Sequence, residues 1–235
     1  MKTKALFMLL FTLFNYAFIN EVQADERKEM KFIYVNGFGE RRFPPAFEKK
    51  MKKFVKPLNG YFEVKTFQWG SLKLDLTKVV HQWNEAKKNA DRDAQKFARE
   101  VIEKCEKEET PYVLIGYSLG TRVIAEALQY PQNELKYLRG IYFLGSALPK
   151  DYKLETKILP EDFKIINYYS DYLDYMLKLS FYNAEGIKAG GEVGFDDKKC
   201  FLNLRTVSTH VYKGGPFQRD YSNLAEAIGY LSLWK

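Results

Sequence analysis

The chain has 235 residues, 46% of them hydrophobic and 29% charged, with a formal charge of +7. That length and balance suit one globular domain with a sizeable core and exclude a disordered chain. Two cysteines are too few for a disulfide scaffold and lack any metal-ligand spacing, and no segment resembles a nucleic-acid-binding module.

The N-terminus reads as a separate object. Lys2 and Lys4 precede an almost wholly apolar run from Ala5 to Ile19, and Val22-Gln23-Ala24 supplies a small-x-small cleavage pattern before the charged Asp25-Glu26-Arg27-Lys28. This is the layout of a secretory signal peptide with cleavage after Ala24. The apolar run is shorter than the ~20 residues a spanning helix needs. The expected mature protein is residues 25–235, exported, and periplasmic or secreted. Loss of two lysines and one glutamate with residues 1–24 lowers the charge from +7 to +6.

Phe32-Ile33-Tyr34-Val35 reads as a buried strand, followed by the glycine-bearing turn Asn36-Gly37-Phe38-Gly39-Glu40. Pro44-Pro45 suit a helix start. The amphipathic stretch behind them turns Phe47, Met51 and Phe54 inward and Lys49, Lys50, Lys52, Lys53 and Lys56 outward. Those lysines read as a solvated face, with attraction to an anionic surface as the functional alternative. Tyr61 to Trp69 reads as a second strand, and residues from about Thr77 to Lys107 as a long polar-faced helical region containing His81. Cys105, near its end, and Cys200 would be free to pair in an oxidising compartment if folding brought them together.

Tyr112-Val113-Leu114-Ile115 is a third strand. It runs into Gly116-Tyr117-Ser118-Leu119-Gly120, behind which Val123, Ile124, Ala127 and Leu128 mark one face of a helix. Strand, then G-x-S-x-G, then helix is the context of a nucleophile elbow. In it a serine sits on a strained turn with its hydroxyl above the sheet edge, and flanking glycines avoid collisions with the neighbouring strand and helix. Further strands read at Gly140–Leu144, Phe163–Tyr168 and Phe201–Val207, with a closing helix from about Ser222 to Trp234. Strands alternating with helices imply parallel pairing, with functional groups at the carboxyl ends of the strands.

That rule directs the search for partners of Ser118. A serine hydroxyl needs a base, most often histidine. His210 follows the last strand and is the expected general base, whereas His81 reads as a surface residue of its helix. The histidine needs a carboxylate to fix its tautomer. Asp174 is preferred and Asp171 is the alternative, both after the fifth strand; Asp196 and Asp197 are outside candidates. An oxyanion would be held by two backbone N–H groups, expected from Leu119 and from Phe38, with Gly39 as alternative to Phe38. Tyr168, Tyr169, Tyr172, Tyr175, Phe181 and Tyr182 would line an acyl pocket or simply pack the core. Ala189–Gly194 reads as a connecting loop or, alternatively, a lid.

With these residues placed, the chain resembles the α/β-hydrolase superfamily. The resemblance is carried by Val35-Asn36-Gly37-Phe38, by Gly116–Gly120, by Asp171 or Asp174 and by His210, in the order Ser, Asp, His. It spans nearly all of residues 25–235. It implies an α/β, three-layer fold with a mainly parallel sheet of about six strands and helices on both faces, in a compact version without the first antiparallel strands of larger members. It also implies acyl transfer to water through an acyl-serine, on an ester or thioester of a small-molecule or lipid-like substrate, with no metal or organic cofactor. Many relatives carry His-Gly where this chain has Asn36-Gly37. A non-catalytic binding protein on the same scaffold, and a peptidase or acyltransferase using the same triad, are the rival readings, since fold does not select chemistry.

Overall fold

The computed structural model describes residues 29–37, 49, 52–53, 56, 60–65, 79–154, 158–160, 163–170 and 181–205. Among the described residues six strands form one sheet: β1 (Met30–Val35), β2 (Gly60–Lys65), β3 (Tyr112–Tyr117), β4 (Leu138–Leu144), β5 (Ile165–Tyr169) and β6 (Phe201–Arg205). Their order is β2-β1-β3-β4-β5-β6 and every pairing is parallel. This is an α/β fold, as the alternating pattern implies. All six residues of β3 are buried. That is why the strand reads as a continuous apolar run rather than an alternating one: a parallel sheet is covered on both faces.

The two faces can be separated by the period of two along each strand. Ile33, Val35, Leu114, Ile141, Phe143, Ile165 and Phe201 belong to one packed cluster with the described helices. Phe32, Tyr34, Val113, Ile115, Tyr142, Leu144 and Tyr168 point the other way and are buried too.

On the first face lies helix α1 (Val79–Phe97). It buries Trp83, Ala86, Ala90, Ala94 and Phe97 at three- and four-residue spacing, while His81 is exposed, as its helix position suggested. A π-helical turn, Ala98–Ile102, joins α1 to α2 (Glu103–Lys107). The extra residue per turn rotates the buried face so that Val101, Ile102 and Cys105 continue it. Helix α3 (Leu119–Ala127) follows β3 and packs along α1. The short helix α4 (Gly190–Val193) packs on β5. Residues 181–185 are also helical; Phe181 meets Trp83 edge-on at 5.7 Å, and Glu185 accepts hydrogen bonds from Trp83 Nε1 and Lys87 Nζ.

Most boundaries differ from the sequence reading by a residue or two. β4 starts at Leu138 rather than Gly140, because Leu138 already pairs with Tyr112 across a bulge. β5 starts at Ile165 rather than Phe163. Trp69, the closing helix from Ser222 and the N-terminal segment 1–24 lie outside the described residues. So do Phe47, Lys50, Met51 and Phe54, whereas Lys49, Lys52, Lys53 and Lys56 are exposed, as a solvated basic face requires. None of the described helices is long and apolar enough to cross a membrane.

Both cysteines are free. Cys105 lies under β1, near Lys31 and Ile33, whereas Cys200 leads into β6. Four inter-strand spacings of about 4.8 Å separate β1 from β6, far beyond the reach of a disulfide.

Candidate active site

Ser118 stands between β3 and α3, at the carboxyl edge of the sheet, with φ 49° and ψ −119°. That region is comfortable for glycine and costly for a residue with a Cβ. Serine is among the best helix N-caps when its backbone is extended and its oxygen bonds the first turn. Here it occupies the cap position but makes no side-chain capping bond. The strained turn therefore leaves the hydroxyl uncommitted to the helix.

The flanking glycines have the role the motif assigns them. A Cβ on Gly116 would stand 2.8 Å from Thr121 Cα. One on Gly120 would stand 2.3 Å from the Val35 carbonyl oxygen and 2.6 Å from that of Asn36. These close approaches let α3 descend onto the carboxyl end of β1 and bring the turn after β1 beside the serine. Gly37 lies so near that its own Cβ would be 2.9 Å from Ser118 Cβ and 2.7 Å from Tyr117 Cδ1. Asn36, 2% exposed, directs its Nδ2 at the Gly37 carbonyl oxygen at 3.4 Å.

The elbow is held from three sides. Ser118 N–H donates to the Leu144 carbonyl at 2.9 Å, which ties the turn to β4. Its own carbonyl accepts from Thr121 N at 3.1 Å, from Ala147 N at 3.3 Å and from Thr121 Oγ1 at 2.6 Å. Leu119, fully buried, is the first residue of α3. Its N–H belongs to the first helical turn, which no helix carbonyl can satisfy and where the helix dipole is positive. Such a group suits a developing oxyanion.

Beyond β4 the chain is equally fixed. Gly145 (φ 54°) donates its N–H to the Tyr168 carbonyl at 3.0 Å, and Gly191 N–H donates to the Ser146 carbonyl at 3.0 Å. A Cβ on Gly191 would lie 2.1 Å from Ser146 N. Ser170, at the end of β5, donates its N–H to the Gly191 carbonyl at 3.0 Å. Ala189, Gly190, Gly191 and Glu192 are all buried. The lid alternative for Ala189–Gly194 is thus overturned: the segment is built into the carboxyl edge, and its glycines serve close packing rather than movement.

Among the expected site residues, Ser118 and Leu119 are described; Phe38, Gly39, Asp171, Asp174 and His210 lie outside the described residues. Asp196 and Asp197 are corrected. Asp197 sits before the amino end of β6, the edge opposite Ser118, and accepts from Lys199 N and Cys200 N at 2.9 and 3.1 Å. Those N–H donors oppose the burial cost and leave its carboxyl below the usual carboxylate range. Asp196 pairs with Lys150 at 2.8 Å. Asp197 is a structural carboxylate and Asp196 is half of a surface ion pair.

The aromatic group divides. Phe181 is core, Tyr182 is 55% exposed, and Tyr168 is 5% exposed, its hydroxyl pushed up to about 12 by burial. Tyr172 and Tyr175 lie outside the described residues. Among the described residues, no group of three or more His, Cys, Asp or Glu converges as a metal site.

Sequence reading passed over two residues. Glu192, 6% exposed in α4, is a buried acid at this edge. Its glycine neighbours read as a loose loop and hid it. Thr121 looked like any helix residue; only its place three residues past the serine hints at its contact with the turn.

Among curated proteins none matches the chain. Among solved structures, TT1662 from Thermus thermophilus aligns with a TM-score of 0.48 at 11% identity, covering 89% of this chain and 89% of that one. A cold-adapted esterase from an Arctic intertidal metagenomic library aligns at 0.46 and 11% identity, covering 89% and 84%. A cutinase from Trichoderma reesei aligns at 0.41 and 13% identity, covering 89% and 77%. These likenesses say nothing of the reaction. Residues 63–207 match the family model described as "Protein of unknown function (DUF726)", a stretch that includes Ser118, Asp171 and Asp174 and ends three residues before His210. That match takes in more than half of the chain, which therefore belongs to the DUF726 family.

Proposed function

We propose that the protein is a serine hydrolase that cleaves an ester or thioester through an acyl-serine. The observation that carries this reading is the backbone of Ser118: a serine in a glycine-like conformation at a strand end, capping a helix with its backbone but not with its hydroxyl. Strain of this kind persists where the surroundings over-determine it, and it clusters at active sites.

In the proposed reaction His210 accepts the Ser118 proton as Oγ attacks the substrate carbonyl carbon. The tetrahedral oxyanion is held by the N–H groups of Leu119 and Phe38. His210 passes the proton to the leaving alcohol or thiol, leaving the acyl-serine, and then activates water to release the acid and restore the hydroxyl. Asp174, or Asp171 in its place, holds the imidazole in the required tautomer. The acyl substrate is small or lipid-like. We propose further that the protein is exported after cleavage at Ala24; the intact mass of exported material would begin near Asp25.

A fluorophosphonate probe tests the reading directly. Attack by Ser118 Oγ on phosphorus forms the O–P bond and expels fluoride, so the probe labels the native protein, fails on Ser118→Ala and nearly fails on His210→Ala. Absence of labelling of the native protein would favour a binding protein on a hydrolase scaffold. Turnover of a panel of esters, thioesters and amides separates an esterase from a peptidase.

A further inference from the structure

The Ser118 elbow rests on a buried pair of hydroxyls with no counterpart in the catalytic scheme. Thr121 and Ser146 are both fully buried. Thr121 Oγ1 donates to the Ser118 carbonyl oxygen at 2.6 Å, so its one proton is spent there. Ser146 Oγ, 2.9 Å away, must then be the donor of that pair. Ala147 N–H approaches the same Thr121 oxygen at 3.2 Å and the Ser118 carbonyl at 3.3 Å. Thr121 Oγ1 thus gives its proton and fills both lone pairs, in a place where a lost partner leaves a buried polar atom bare.

The carbonyl it holds belongs to the peptide joining Ser118 to Leu119. That unit is planar and trans, so its N–H points opposite to its C=O. Whatever fixes the Ser118 carbonyl therefore fixes the direction of the Leu119 N–H, and turns it away from Thr121. The torsion being held is the Ser118 ψ of −119°.

We propose that Thr121 is a positioning residue for the reaction: its hydroxyl, loaded by Ser146 and Ala147, sets the Ser118–Leu119 peptide plane, and through it both the nucleophile and the oxyanion donor. The inference rests on the proposed hydrolase reading. It deepens that reading by assigning the aim of the Leu119 N–H to a side chain three residues along the helix. Gly191, whose N–H holds the Ser146 carbonyl, extends the same support to α4.

The test compares the full-length protein with Thr121→Val, Thr121→Ser and Ser146→Ala. Fluorophosphonate labelling rates, kcat and KM on a short-chain nitrophenyl ester, and thermal midpoints are measured. Thr121→Val keeps the side-chain shape and removes the hydroxyl. Labelling rate and kcat are expected to fall about ten- to a hundredfold with KM changed by less than about twofold, as for a misaimed oxyanion donor. Thr121→Ser, which keeps the hydroxyl, restores both to within about threefold. Ser146→Ala, which leaves the Thr121 oxygen with the Ala147 N–H as its one remaining donor, slows both about three- to tenfold and carries the test if Thr121→Val does not fold. A folded Thr121→Val or Ser146→Ala that reacts at the native rate overturns the positioning role while leaving the hydrolase reading intact. Native protein that shows no Ser118-dependent labelling overturns both.

Discussion

Gly120 lies against Val35 so closely that a Cβ at position 120 would be 2.3 Å from the Val35 carbonyl oxygen. Backbone meets backbone there, and no rotamer change can relieve it. Gly120→Ala is therefore expected to lift the first turn of α3 off β1, at a cost of about 1–3 kcal/mol in stability. Urea denaturation should show the midpoint falling. Fluorophosphonate labelling should slow at the same time, because the lifted turn carries Leu119.

Ser118 carries the opposite prediction. Replacing it by glycine removes the Cβ that the φ of 49° penalises. Ser118→Gly should be more stable than the native chain by about 1 kcal/mol, while losing all probe labelling. Ser118→Ala keeps the Cβ and should lose labelling without that gain. A native chain as stable as Ser118→Gly would mean the elbow is unstrained.

Asn203 clamps the segment between α4 and β6. Its Oδ1 accepts from Phe195 N at 2.8 Å and from Asn167 Nδ2 at 2.9 Å, and its Nδ2 donates to the Phe195 carbonyl at 3.0 Å. Asn167 Nδ2 also reaches the Gly190 carbonyl at 3.0 Å. Asn203→Leu would leave several of these groups unpaired in a half-buried site, at a cost of about 1–3 kcal/mol. Denaturation measures that loss. Ser118 labelling in the folded fraction should persist, since none of these groups touches the elbow.

The thiols give a pH prediction. Burial, the largest effect, pushes the Cys105 thiol up to about 11 from an ordinary value of 9.0, and pushes Tyr112 and Tyr168 upward as well. The folded chain therefore holds these protons more tightly than the unfolded one. This stabilisation is complete below the unfolded value near pH 9 and is lost as pH rises toward 11. The denaturation midpoint should decline across that interval, and Cys105→Ala should flatten the decline. At neutral pH a thiol reagent should modify half-buried Cys200 and spare Cys105.

How far the sequence revealed this protein depended on whether a feature leaves a local trace. The strands were legible because a doubly covered parallel sheet demands unbroken apolar runs, as in Tyr112–Ile115. The elbow was legible because its steric limits exclude side chains at Gly116 and Gly120. Other features depend on neighbours distant in sequence. Asp197 looked like a candidate acid until the strand direction put it at the far edge. Gly190 and Gly191 suggested mobility, whereas their bareness lets the chain press against the Phe195 ring at Gly190 and against Gly145 and Ser146 at Gly191. The π turn at Ala98–Ile102 inserts one residue without altering composition, so periodicity alone passed over it. Thr121 was silent because a hydroxyl on a buried helix face declares no partner.

The row of alanines on α1 has a consequence for chemistry some thirty residues later. Ala86, Ala90 and Ala94 are fully buried in the core that α3 shares. Their methyl groups act as a spacer of fixed thickness between two rods. A bulkier residue in that row would push outward the rod whose tip carries the serine. The height of the hydroxyl above the sheet is thus gauged from behind, by side chains of another helix.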